Sequence, residues 1–179
     1  MKETFSLLLI PDSVFLNQVA RLKQKVLLVI GRDYASSRAP AHLSLCSFRL
    51  KAGSGDALCA FLDHLCLNSS ALKLSCHEIA SFPQTGTLYL ALKAPEKFQA
   101  FQKKHEYDLK GAFPPLKRNM SLASKPHITI GRNLQSSELE ECIQQLQVDF
   151  QPGAFDGKVL RLMVERMGRM EMYREWQLE

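Results

Sequence analysis

The sequence predicts an α+β fold built twice over, with residues 1–179 forming one domain of two lobes. Two observations predict it. A series of strand, helix, histidine-bearing strand, helix and hairpin runs to residue 93, and its later members recur in the same order from residue 95. The histidine strands begin 85 residues apart, at His42 and His127, and the same offset carries the first hairpin turn, at Gly86, close to the second, at Gly168. No linker or low-complexity segment separates the halves, so the reading is an internal duplication within a single body.

The elements follow from local pattern. Phe5 to Ile10 is a short apolar run closed by Pro11 and Asp12, a first strand. Phe15, Val19, Leu22, Val26 and Val29 recur at steps of four and three, the period of a helix with one buried face, and Gly31 ends it. The loop GRDYASSRAPA delivers the chain to HLSLCSFRL at residues 42–50, and Leu58, Phe61, Leu62 and Leu65 mark an amphipathic helix starting near Asp56. ALKLSCHEIASF and TLYLALK then form a hairpin around Gln84, Thr85 and Gly86. Pro95 suits the first turn of a third helix, where a missing N–H costs nothing, with Phe98 and Phe101 inward. LKGAFPPLKRNMSLASKP reads as a long loop, and HITIGR as a strand. Ser137 and Glu140 form a capping box ahead of Leu139, Ile143 and Leu146, and KVLRLMVERM with MEMYREWQL closes the chain as a hairpin around Gly168.

Hydrophobic residues at 46% and charged ones at 23% describe a folded chain and exclude a disordered one. No run approaches the roughly 18 apolar residues of a membrane-spanning helix. The opening apolar run, flanked by Lys2, Glu3, Pro11 and Asp12, is too short for a signal peptide, so a cytoplasmic location is expected, with no membrane partner. Five cysteines without a C-x-x-C pair predict reduced thiols rather than disulfides or a zinc site. No apolar helix stands uncovered and no heptad repeat occurs, so a monomer is expected.

The net charge of +5 is unevenly placed. Residues 93–132 hold nine Lys or Arg against three acids, residues 1–92 nine against six, and residues 133–179 five against nine. The basic excess leads into the second histidine strand, which suits either a solvated face or a groove for a phosphorylated substrate.

In a strand, alternate side chains share a face, so His127 and Thr129 point one way while Ile128 and Ile130 point the other. His42-Leu43-Ser44-Leu45 repeats that logic. An approximate two-fold relation between the halves would bring both pairs to one groove. There a neutral imidazole can take a proton from an attacking hydroxyl while an imidazolium gives one to the departing oxygen. Each hydroxyl can hydrogen-bond a phosphate oxygen as charge develops, and no metal is needed.

At these residues the chain resembles the 2H phosphoesterase superfamily, in the branch called 2′-5′ RNA ligase-like or RNA 2′,3′-cyclic phosphodiesterases. The likeness runs from FSLLLIPDSVFLNQV through RAPAHLSLCSF to KPHITIGRNL and the closing hairpin. It implies a LigT-like fold, two antiparallel sheets around a central cleft with helices outside. It also implies metal-independent phosphodiester chemistry with no cofactor, and catalytic roles at His42, Ser44, His127 and Thr129. Ser44 stands where threonine is common and keeps the hydroxyl. Arg132 matches a basic residue that follows the second motif in this family. Strict alternation turns its side chain away from His127 unless Gly131 introduces a bulge.

Phe48 shares the parity of His42 and Ser44, while Tyr89 and Trp176 lie on the two hairpins; all three are candidates for stacking on a base, against a competing role in packing. Cys46, at the same parity, is expected to line the groove. Lys125, with Lys117 and Arg118, sits on the basic loop, placed either to gather an RNA end or simply to face solvent. His64, His77 and His105 have no hydroxyl partner and are expected at the surface. The functional expectation is a cyclic phosphodiesterase acting on RNA 2′,3′-cyclic phosphate ends or 2′-5′ linkages. Two alternatives stay open: the same chemistry on a small cyclic nucleotide or nucleotide-sugar cyclic phosphate, and a module that binds RNA ends or phospholigands without turnover.

Overall fold

Asp12 starts the first helix and ties it to the far end of the chain. In the computed structural model, which describes residues 2–67, 69–148 and 150–179, strand β1 (Lys2–Pro11) runs into Asp12. Its Oδ1 accepts the Phe15 N–H at 3.0 Å, capping α1 (Ser13–Ile30), and its Oδ2 accepts the Asp156 N–H at 2.8 Å. α1 buries the expected stripe of Phe15, Val19, Leu22 and Val26. Then come β2 (Leu43–Lys51), α2 (Gly55–Leu67) and the hairpin β3 (Leu72–Phe82) and β4 (Thr87–Leu92). Gly86 closes that hairpin at φ 57°, and a Cβ there would strike the Leu134 backbone, so glycine alone fits.

Residues 109–126 depart from the loop expected there. α3 (Pro95–Ala112) continues into them, followed by a single turn, α4 (Leu116–Asn119), and a short edge strand, β5 (Met120–Leu122). β5 pairs Met120, Ser121 and Leu122 with Phe48, Ser47 and Cys46 of β2. Three residues are too few to show a period, which is why the strand does not read from the sequence. β6 (His127–Gly131), α5 (Ser136–Gln147), β7 (Gly153–Arg166) and β8 (Arg169–Gln177) complete the chain. The cap of α5 lies two residues before the expected Ser137 and Glu140: the Gln135 N–H donates to Glu138 Oε2 at 2.7 Å. The helix buries Leu139, Cys142 and Leu146 against the core.

Every strand pair is antiparallel, in the order β5-β2-β1-β7-β3-β4-β6, with β8 also on β7. The two expected sheets are therefore hydrogen-bonded into one curled sheet through β7. Gly153 to Gly157 of that strand pair with β3, while Gly157 to Val164 pair with β1 and residues from Val159 onward take β8. Each hairpin lies against the opposite half: β7–β8 beside β1 and β2, β3–β4 beside β6. Helices α1 and α5 cover β6 and β3; α2 and α3 cover β8 and β2. Phe5, Leu7, Leu9, Leu43, Leu45, Leu160 and Leu162 are fully buried beneath them, each worth roughly 1.5–3 kcal/mol of transfer free energy.

All five cysteines are buried and unpaired. Among the described residues no helix is long and apolar enough to cross a membrane. His64 and His77 are exposed, as expected. His105 is not: it is 1% exposed on the buried face of α3, beside Phe98, Gln102 and Leu109, with Nδ1 donating to Phe101 O at 2.9 Å. Its position four residues from Phe101 puts it on the stripe that faces β2.

Candidate active site

β2 and β6 stand near opposite ends of the strand order, yet the curl of the sheet brings them into contact. The seam between them is the cleft. His42 enters it at the head of β2 and His127 at the head of β6, and the two are held in the same way. His42 Nδ1 lies 3.0 Å from Pro40 O, and His127 Nδ1 lies 2.7 Å from Lys125 O, each the carbonyl two residues earlier. A carbonyl only accepts, so Nδ1 carries the proton in both rings. Nε2 is left as the group that takes or gives a proton.

Both imidazoles are held below the ordinary histidine pKa. Burial is the main cause for each. Lys23, His127 and Arg132 add to it at His42, Arg132 and Lys125 at His127, while the carbonyl hydrogen bonds pull the other way. His127 and Arg132 therefore stand close enough to His42 to add to its shift.

A β-bulge follows each motif at the same offset. On β2, Leu8 pairs with Ser44 and Leu7 with Cys46, leaving Leu45 as the extra residue. On β6, Tyr89 pairs with Thr129 and Leu88 with Gly131, leaving Ile130. Up to each bulge alternation holds: Ser44 and Thr129 are half-buried toward the cleft, and Leu43, Leu45, Ile128 and Ile130 point into the core. Beyond it parity inverts. Arg132 therefore rejoins the face of His127 and Thr129, exposed and electrostatically felt by both histidines.

The same inversion corrects two expectations on β2. Cys46 and Phe48 leave the histidine face and enter the core; burial pushes the Cys46 thiol up to about 12, and Phe48 stacks on Phe5 with ring centroids 5.9 Å apart. Ser47, the positional counterpart of Arg132, takes the cleft side instead. Trp176 is corrected as well. Its ring packs on the α2 side, with Nε1 donating to Asp63 Oδ1 at 2.7 Å and the Arg174 guanidinium 5.5 Å above it. Tyr89 does reach the site, its ring 5.2 Å from that of His127, although only 4% of it is exposed. It stacks at 4.2 Å on Phe82, a half-buried aromatic that the sequence reading passed over. Phe82 lies 5.1 Å from the His127 ring, and Lys125 Nζ stands 5.3 Å over its face. Its position at the end of a strand, before Pro83, was the available signal.

The loop between α1 and β2 does more than deliver the chain. Tyr34 Oη donates to Ile130 O at 2.8 Å, and Ala35 bridges to Arg132. The Arg32 guanidinium forks onto Glu138 at 2.8 and 2.6 Å, while Lys23 Nζ, only 4% exposed, donates to Ser36 O at 2.8 Å and Ala39 O at 2.6 Å. Next in the chain is Pro40, whose carbonyl holds His42. The loop is thus a strap across both histidine strands, anchored beneath by a buried lysine whose pKa burial pushes down to about 8. A lysine beside Leu22 on the buried face of a helix was the sequence signal. Removing this cation should let His42 protonate more readily. In Lys23→Met the His42 ring should titrate at higher pH, read from its Cε1–H resonance; an unmoved titration would separate Lys23 from the site.

The family model described as the 2′-5′ RNA ligase superfamily matches residues 11–169. No functionally curated protein matches. Among solved structures, Escherichia coli LigT in apo form superposes with a TM-score of 0.64 at 14% identity, over 99% of this chain and 98% of that one. The same protein complexed with 3′-AMP gives 0.60 at 12% identity, over 99% of both chains. TT0787 of Thermus thermophilus gives 0.63 at 13% identity, over 98% of this chain and 97% of that one. At these identities the likeness is one of fold.

Proposed function

The chain belongs to the 2′-5′ RNA ligase superfamily, and from that premise we propose that it is a 2H phosphodiesterase opening the 2′,3′-cyclic phosphate of an RNA or nucleotide end. The observation that carries the proposal is the matched pair of imidazoles, each pinned through Nδ1 so that Nε2 is free for proton transfer into one cleft. One neutral Nε2 takes a proton from water as its oxygen bonds to phosphorus. The bond from phosphorus to one ribose oxygen breaks, and the other histidine, as imidazolium, gives that oxygen its proton. The product is a monophosphate, and the two rings have exchanged protonation states. Ser44 and Thr129 donate to the non-bridging oxygens, and Arg132 holds them with a forked pair of donors. Phe82, backed by the buried Tyr89, offers its half-buried ring to the base once the Lys125 side chain over it swings aside to a phosphate.

Two further observations support the reading. LigT has been solved with 3′-AMP and with phosphate, ligands that carry the phosphate group the two histidines are proposed to act on. The bulges at Leu45 and Ile130, each three residues past its histidine, support one domain of two duplicated halves. Opening of a 2′-5′ linkage would draw on the same groups.

The test is incubation with an oligoribonucleotide ending in a 2′,3′-cyclic phosphate, in EDTA, with the 2′- and 3′-monophosphates resolved. A single isomer is the expected product and reports which bond breaks. Turnover of 2′,3′-cyclic AMP alone would move the assignment to small cyclic nucleotides. Binding without product would replace catalysis by a role in holding RNA ends.

A further inference from the structure

The bulge at Leu45 turns more than Phe48. Past it, Ser47, Arg49 and Lys51 continue the histidine face of β2, partly or fully exposed, while Cys46, Phe48 and Leu50 fill the core. Ser47 lies opposite Ser6 on one side, their hydroxyls 2.9 Å apart, and opposite Ser121 of the edge strand β5 on the other. Arg49 lies opposite Thr4. α4 brings Arg118 and Asn119 to the same place, and with Thr4, Ser47, Arg49 and Ser121 they line a groove of about 430 Å³. Arg32, Arg38, Arg161, Arg166 and Arg174 each pair with a carboxylate. Arg49 and Arg118, like Arg132, make no ion pair or side-chain hydrogen bond among the described residues.

From this geometry we infer that the groove is a backbone track for a single-stranded RNA whose terminal nucleotide sits at the histidines. The inference rests on the proposed function and deepens it, making a strand rather than a mononucleotide the preferred substrate. Arg49 lies five residues along the strand from Ser44, one of them taken up by the bulge, which places it roughly 13 Å away. That is beyond the reach of a single nucleotide's phosphate and within reach of those that precede it in a chain. Two unpaired guanidinium groups at that range suit phosphodiester oxygens, and the row of Ser47, Ser6, Ser121 and Thr4 hydroxyls suits 2′-hydroxyls, which both donate and accept. The one aromatic residue lining the groove, Phe48, is turned into the core against Phe5, so the track reads backbone, not base.

The test compares an eight-nucleotide RNA ending in a 2′,3′-cyclic phosphate with 2′,3′-cyclic AMP, using wild type and the Arg49→Gln/Arg118→Gln variant. Wild type should prefer the RNA. The variant should lose about tenfold of the ratio of kcat/KM for RNA over that for the mononucleotide. Binding of a labelled 3′-phosphorylated RNA should lose about 1.4 from the slope of log affinity against log salt, at 0.7 per phosphate contact. An unchanged ratio and slope would overturn the track. If wild type turns over neither substrate, the catalytic reading fails by itself, and the salt slope still decides whether Arg49 and Arg118 hold RNA.

Discussion

Replacing His42 or His127 with alanine should lower turnover of a 2′,3′-cyclic phosphate by about 10²- to 10⁴-fold, the usual worth of a positioned proton transfer. Both rings sit at strand heads, partly buried, with one hydrogen bond each to a neighbouring carbonyl and outside the packed core, so either variant should keep its fold. The double variant should be little worse than the single ones, because acid and base act as a unit and losing one idles the other. Single-turnover assays with matched circular dichroism melts decide the matter. Retained activity in both single variants would exclude two-histidine catalysis, whereas loss in only one would leave a base or an acid supplied by water.

The second large effect is expected at Arg132. Arg132→Gln should lower kcat/KM by about 10²-fold, as loss of an oriented donor to developing charge does elsewhere. It should also shift the pH optimum upward. The sign follows from both pKa values being depressed, first by burial and then by cations that include Arg132. In the free enzyme, activity falls above the pKa of the acid and below that of the base. With both lowered, the bell in kcat/KM is centred below the ordinary histidine value of about 6.5. Removing a cation that both rings feel raises both pKa values and carries the bell toward neutral pH. Arg132→Lys keeps the charge and loses the fork, so the optimum should stay while only part of the rate returns. A full pH profile of the three proteins checks this; an optimum unmoved in Arg132→Gln would show that its guanidinium does not bear on the histidines.

The two histidine strands are legible in the sequence because alternation within four residues is local: His42 and Ser44, His127 and Thr129 need nothing beyond their own strand to share a face. What lies beyond Leu45 and Ile130 is not legible in the same way, since a bulge is a property of the pair. β1 and β4 impose the extra residue, and only with them in place do Phe48 and Cys46 turn inward and Arg132 outward. The glycine at 131 gave a hint on one strand, and nothing comparable marks the other. Lys23 and the strap it anchors depend on contacts between residues 13 and 16 positions apart, in a segment with no period. β5 and the α5 cap escaped for opposite reasons, one too short to carry a pattern and the other hidden by a second plausible box two residues on.

The shared strand β7 has a bearing on how the molecule comes into being. Up to residue 152 the chain contains both histidine strands but not the strand that joins their sheets, and Phe5, paired with Phe48 on one side, finds its second partner only in Val164. On a ribosome the earlier part must wait with the edges of β1 and β3 unpaired, a state open to wrong pairing with other chains. Contacts so distant in sequence also form slowly. The seam that holds the histidines is then among the last features to assemble, and an interrupted or nicked chain lacking the final hairpin cannot present it. Competence in this way reports that synthesis has passed the β7–β8 hairpin.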